Sequence, residues 1–445
     1  MIKGFHLALI VAFATASLLC VACFVARAET PASAPASVPA SAPAAERRVD
    51  ALLWKVELPV IIRGFGSMAV LNDDLIFFPG RDKIVYAVSR ADGQKKWKYD
   101  AGYINSPYLQ LSGNTLICST ATGYSPITAL DAASGKELWQ TKDHYFSATV
   151  CRTHLVTYQG GDDLERLISL SLKDGAIEWT REVKELAGSD YDYARRSSVR
   201  YANGSLLIEM YRGENAESTR WGMIAVNPAT GETLWDMTVP DGFSDSSDIV
   251  GEQLYAAMLY HKTKTTAVRV CDLKAGRTWT DTPLKIDNAW EVFNGVGIMV
   301  VGEILLTGSH AGLAAYDLAG GKLLWRHAPN GDSGKRPDDD GIRMRATYSY
   351  ASLSNVTVHD GEVIFPVGDG LLALDLKTGK PRWNYVAESF VAGRPIVRDG
   401  IVYFKSGGGT ISMRGQVIIQ GSDTNYLYAL DLAKARRLGM SEGKE

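Results

Sequence analysis

The sequence predicts an all-β protein: an eight-bladed β-propeller of four-stranded antiparallel blades, with the ring closed by an N-terminal strand that completes the last blade. Three observations lead there. A pattern ending in tryptophan recurs along the 445 residues. Between successive copies lie short alternating apolar runs that read as strands, four to an interval. The first and last copies are incomplete in complementary ways.

The stretch LLALDLKTGKPRW, residues 371–383, shows the pattern in full: an alanine, an aspartate two residues on, a glycine, then the tryptophan. Seven copies end at Trp97, Trp139, Trp179, Trp235, Trp279, Trp325 and Trp383, and the copy ending at Trp279 is one residue short. Their spacing, 40 to 58 residues, is that of one propeller blade. An eighth copy begins YLYALDL at 426–432, but Gly439 stands where its tryptophan belongs. The missing strand is ALLWKVELP near the start, where Trp54 precedes Trp97 by 43 residues. Joining the two closes the ring and removes its free sheet edges.

The motif is architecture rather than chemistry. Its polar station holds Asp131, Asp272, Asp317, Asp375 and Asp431, but also Asn227, Ser89 and Ser171. A metal ligand or acid catalyst would need the charge. A short side chain with an oxygen acceptor, which all eight share, can bond the N–H groups of a following tight turn. The glycine suits a positive-φ position in that turn. The alanine leaves room for close packing, and the tryptophan fills the space against a neighbouring blade.

This arrangement, A-x-D-x-x-x-G-x-x-x-W, resembles the tryptophan-docking motif of the pyrroloquinoline-quinone (PQQ)-type β-propeller superfamily, over residues 51 to 432. The overall plan resembles the BamB family of the outer-membrane barrel-assembly machinery. That resemblance implies an exported ring that binds other proteins and does no chemistry. The same superfamily includes quinoprotein dehydrogenases, whose quinone sits in the ring centre with calcium beside a pair of adjacent cysteines. No two cysteines are adjacent here.

The chain divides into residues 1–28 as a signal peptide, 29–46 as a linker, 47–435 as the propeller and 436–445 as a flexible tail. Lys3, an apolar run from Leu7 to Val25 and the ARA at 26–28 make the export signal. Cleavage after Ala28 is the favoured fate; lipidation at Cys23 and retention as an anchor are the alternatives. Prolines at every fourth position from Pro31 to Pro43, among alanine and serine, make an extended spacer. Location in the periplasm follows, with attachment to the outer membrane as the finer expectation. Cys118, Cys151 and Cys271 share no close spacing and are expected as buried small hydrophobes. A formal charge of −3 offers no field for phosphate backbones, which argues against nucleic acid.

Function is expected on one face. The first-to-second and third-to-fourth turns of each blade are short, while the long segments, among them 184–196, 211–221, 261–266, 327–346 and 405–425, fall on the opposite face. Tyr191, Tyr193, Arg195, Arg196, Tyr211, Arg212, Arg343 and Arg345 on that face are the partner-binding candidates, because tyrosine and arginine anchor protein interfaces. Residues before the innermost strands, including Arg63, Asn105, Ser147, Ser197, Asp245, Asp248, Glu291, Asn294, Tyr348 and Arg394, should line the channel mouth. The favoured reading is a monomeric, noncatalytic scaffold for envelope proteins, outer-membrane assembly components among them, with no cofactor. One alternative is a PQQ- and calcium-dependent dehydrogenase using Asp245, Glu291, Asn294 and Arg394; the other is a ligand-binding sensory propeller.

Overall fold

The computed structural model describes residues 51–440 apart from 59–68, 81, 103–106, 121–123, 161–165, 188–192, 213–219, 239–242, 261–264, 275–278, 288–296, 310–311, 328–352, 392, 408, 414–415 and 421–424. The signal peptide, the linker and Cys23 lie outside the described residues. Eight four-stranded antiparallel sheets make the eight blades. Blade 1 runs outward through Val70–Leu71, Leu75–Pro79, Ile84–Ser89 and Lys95–Asp100. The innermost strands of blades 2 to 7 are Pro107–Ser112, Phe146–Cys151, Tyr193–Ala202, Phe243–Val250, Gly297–Val301 and Thr357–His359. Blade 8 consists of Ile396–Arg398, Ile401–Ser406, Asn425–Asp431 and, outermost, the N-terminal strand Leu52–Leu58. The expected closure is therefore present, with Trp54 opposite Ala429.

The motif packs as its residue types demand. Each tryptophan stands cross-strand from the small residue two before the polar station, as Ala87 with Trp97, Ala129 with Trp139 and Ala373 with Trp383. In blades 1, 2 and 6 the indole N–H donates to the carbonyl just after the next blade's polar station: Trp97 to Ala132 O, Trp139 to Leu172 O, Trp325 to Leu376 O. The polar side chains do cap the turns. Asp131 Oδ1 accepts from Ser134 N at 2.8 Å, Asp375 Oδ1 from Thr378 N at 2.7 Å, and Ser171 Oγ from Lys173 N at 3.2 Å. Gly135 has φ of 71°, and a Cβ there would come within 2.5 Å of the Trp97 ring.

Blade 5 departs from this rule, and its short motif copy is the reason. Trp279 stands opposite Cys271, beside the polar station, instead of two residues earlier. A one-residue slip sends a strand side chain to the other face. Trp279 thus packs with blade 4, edge-on to Trp221 with ring centroids 5.9 Å apart. Trp221 is wholly buried, and neither indole N–H has a partner among the described residues.

Three expectations about loops are corrected. Residues 184–196 are not one loop: Val183–Ala187 is helical, and Tyr193 already belongs to an innermost strand. The segment 211–221 begins and ends in strands, Ser205–Arg212 and Arg220–Val226. Residues 405–425 hold a hairpin of Gly409–Met413 paired with Gln416–Gln420, inserted between the second and third strands of blade 8. The tail expected from 436 begins inside a helix, Leu432–Met440, that replaces the tight turn of the eighth blade. Arg436 reaches Glu362 Oε2 at 3.1 Å, and Trp383 Nε1 donates to the same oxygen at 3.3 Å. Gly439 lies against the backbone of Arg382 and Trp383, where a Cβ would collide.

Candidate functional site

The channel wall is built by the innermost strands, and their polar side chains mostly join one blade to the next. Gln110 in blade 2 accepts from Val150 N at 2.8 Å and donates to Ala148 O in blade 3. Thr149 in blade 3 donates to Val199 O in blade 4 at 3.0 Å. Arg200 in blade 4 donates to Ser247 O at 3.0 Å and to Glu209 Oε1 at 2.6 Å. Asp248 in blade 5 accepts from Val300 N in blade 6 at 2.7 Å. Thr357 in blade 7 donates to Pro395 O, and Arg398 in blade 8 to Leu71 O in blade 1. A strand edge facing a channel leaves backbone groups unpaired, and these side chains satisfy them.

The sequence candidates fall into three groups. Arg63, Asn105, Tyr191, Glu291, Asn294, Arg343, Arg345 and Tyr348 lie outside the described residues. Tyr193, Arg195, Arg196 and Ser197 lie in the innermost strand of blade 4, Ser147 in that of blade 3 and Asp245 in that of blade 5; Tyr211 and Arg212 end the second strand of blade 4. Tyr193 and Tyr211 are cross-strand partners, so two of the aromatic candidates share one end of one blade. That end carries the second-to-third connection, as the loop-rich face requires.

Asp248 and Arg394 can be judged in atomic detail. Both oxygens of Asp248 accept from backbone N–H groups, its own neighbour Ile249 and Val300, so the carboxylate is already in use as a joint. Arg394 is half-buried, with Nε donating to Thr357 Oγ1 at 3.2 Å; burial pulls its pKa below the usual arginine range. A desolvated guanidinium suits an anionic group. No three His, Cys, Asp or Glu side chains converge among the described residues. Among the described residues, Arg394 offers a cation to a quinone carboxylate and no cluster of carboxylates stands ready for calcium, while Glu291 and Asn294 lie outside them. Calcium takes six to eight oxygens.

Two polar clusters escaped the sequence reading. Arg90 follows the polar station of blade 1, where other blades carry Ala132, Leu172, Pro228, Leu376 or Leu432. It is buried and donates to Asn72 O, Asp73 O, Asp399 Oδ2 and Tyr403 OH across the closure. Alignment of the repeats would have exposed this one charged residue in an apolar column. Glu209, buried beside Arg200 and Ser247, carries no such signal, because Ser247 lies 38 residues away and the pairing with Arg200 depends on strand register.

Fold and motif define a PQQ-repeat propeller. The family model described as outer membrane protein assembly factor BamB matches residues 43–188, 81–283, 222–365 and 309–438, and the chain belongs to that family. Among solved structures, BamB from Moraxella catarrhalis superposes with a TM-score of 0.50 at 14% identity, over 84% of this chain and 99% of that one. Quinohemoprotein alcohol dehydrogenase ADHIIG from Pseudomonas putida HK5 gives 0.57 at 14% identity, over 86% and 76%. The dehydrogenase subunit of a quinone alcohol dehydrogenase from Gluconacetobacter polyoxogenes is 24% identical over 329 residues, 66% of this chain and 42% of that protein. The chain thus spans less than half the length of the curated relatives it matches.

Proposed function

We propose that this chain is a noncatalytic scaffold of the cell envelope, exported to the periplasm, that binds protein partners through its loop-rich face in the assembly of outer-membrane proteins. The observation that carries the reading is the use of the channel wall. Gln110, Thr149, Arg200, Asp248 and Thr357 hold neighbouring blades together, so the polar groups best placed to meet a small molecule serve the ring instead. The family match along 43–438 supports the same reading. Partner binding is then assigned to the face bearing Tyr193, Arg195, Arg196, Tyr211 and Arg212, with Tyr191, Arg343 and Arg345 as further candidates.

Photo-crosslinkers placed at 195 and 212, and at Gly302 in a tight turn of the opposite face, test this in intact cells. Discrete adducts with envelope proteins are expected from the first two. Adducts from Gly302 alone, or none at 195 and 212, would sink the reading. The dehydrogenase alternative is favoured by one observation, the half-buried guanidinium of Arg394, together with the likeness to quinone alcohol dehydrogenases.

A further inference from the structure

Each joint between neighbouring blades has its own apolar cluster, and seven of the eight take in an outer-strand tryptophan. The joint between blades 5 and 6 is the exception. Its cluster includes Ala257, Val268, Leu284, Leu305, Ala314 and Tyr316, with Leu318 at the margin. Of the 10 tryptophans, Trp290 lies outside the described residues, and none of the others belongs to this cluster.

The residue missing from the blade 5 motif is the cause. In blades 1, 2 and 7 the tryptophan follows a bulge and stands opposite the small residue two before the polar station. Blade 5 has no bulge there, so Thr280 takes that place, opposite Val270. Thr280 is exposed, whereas none of the described tryptophans is.

The receiving half on blade 6 is nevertheless built as in its neighbour. DLAGG at 317–321 answers to DLKTG at 375–379 of blade 7, and Gly321 and Gly379 share a φ of 67°. Asp317 caps its turn, with Gly320 N donating to Oδ2 at 2.6 Å. On blade 7, Trp325 covers Gly379 and donates its N–H to Leu376 O at 2.8 Å. Leu318 O is the matching acceptor on blade 6, and no described residue donates to it.

The occupied seats define the occupant. Trp54, Trp97, Trp139, Trp179 and Trp325 each lie against a turn glycine and donate N–H to the carbonyl after a polar station, at 2.8 to 3.0 Å. A leucine or phenylalanine side chain would leave that carbonyl without its donor. The joint itself is held at its inner edge, where Val300 N donates to Asp248 Oδ2 at 2.7 Å and Ile298 N to Ser246 Oγ at 3.3 Å. Access is therefore from the rim. Since no described tryptophan is exposed, the described part of a second copy offers no indole, and a different protein must supply it.

We propose that the outer joint between blades 5 and 6, framed by Thr280, Leu318 and Gly321, is a docking seat for one tryptophan side chain of a partner protein, presented at the rim of the ring.

Photolabelling of the full chain with the N-acetyl amide of 5-azidotryptophan tests this, the adducts being located by mass spectrometry. Thr280 and residues 318–321 should be labelled about fivefold more than other surface segments, the worth of one hydrogen bond. Excess N-acetyltryptophanamide should remove that preference, and N-acetylleucinamide, which lacks the indole, should not. In Thr280→Trp, folded by circular dichroism, the chain's own indole takes the seat and labelling there falls to the surface level. Uniform labelling, preference for another site, equal competition by the leucine amide, or a folded Thr280→Trp labelled like the parent would each overturn the proposal. If that variant does not fold, position and competition in the parent decide alone. Crosslinking at 195 and 212 reads the loop-rich face, so this result and the scaffold reading stand or fall separately.

Discussion

Arg90 of the first blade and Asp399 of the eighth meet at 2.8 Å across the joint where the two ends of the chain close the ring. The guanidinium also takes the carbonyls of Asn72 and Asp73 and lies 5.6 Å from the Tyr403 ring centroid. Removing one member of a buried charged network leaves the rest unpaired. Arg90→Ala should therefore cost about 3 kcal/mol in chemical denaturation. Asp399→Ala should shift the midpoint far less, because Asp399 is mostly exposed and the carbonyls still hold the arginine. Equal shifts would show that the ion pair, rather than the carbonyl cradle, carries the joint.

The inverted tryptophan of blade 5 gives a second expectation. Trp139 donates its N–H to Leu172 O at 3.0 Å, whereas the Trp279 N–H has no acceptor among the described residues. Phenylalanine keeps the ring and deletes the donor. Trp139→Phe should cost about 1 kcal/mol more than Trp279→Phe, the net worth of one hydrogen bond. Paired urea titrations measure the difference; a reversed order would contradict the register given for blade 5.

Glycine is required in the tight turns for two separable reasons. Gly113 has φ of 57° with open space around its Cβ position, while Gly135 adds the Trp97 ring at 2.5 Å to a φ of 71°. Gly113→Ala should cost about 1 kcal/mol, the left-handed backbone alone. Gly135→Ala should cost at least about 2 kcal/mol more, because the docked tryptophan must move. Thermal unfolding of the two variants separates the terms.

The sequence displayed whatever the repeat displays. Blade number, closure by Trp54, capping by Asp131 or Ser171 and the turn glycines were all readable, since each recurs with fixed spacing. The missing residue before Trp279 was visible, but its consequence was not, because a slip turns a side chain over only once register is known. Loop and strand were confused around Tyr193 and Tyr211, where polar residues occupy strand ends rather than connections. The joining roles of Gln110, Asp248 and Arg200 depend on neighbours about 40 to 50 residues away, and nothing local announces them.

Acid should loosen the seventh blade through Asp375. Burial alone would raise its pKa, but hydrogen bonds from Arg382 and Thr378 outweigh it and hold the carboxyl at about 2. A folded pKa below the unfolded one contributes stability that is present above about pH 4 and lost as pH falls toward 2. The amount is about 2 kcal/mol. Between pH 5 and pH 2, Asp375→Asn should flatten the stability profile relative to the parent; an unchanged slope would assign the acid dependence to other carboxylates.

The central claim is that the ring holds partners and no quinone. Calorimetric titration of PQQ, with calcium present, into the purified full chain tests it most directly. The expected result is no saturable heat at cofactor concentrations well above that of the protein. Stoichiometric binding, abolished by Arg394→Ala while the fold is retained, would contradict the claim and make the channel an active site.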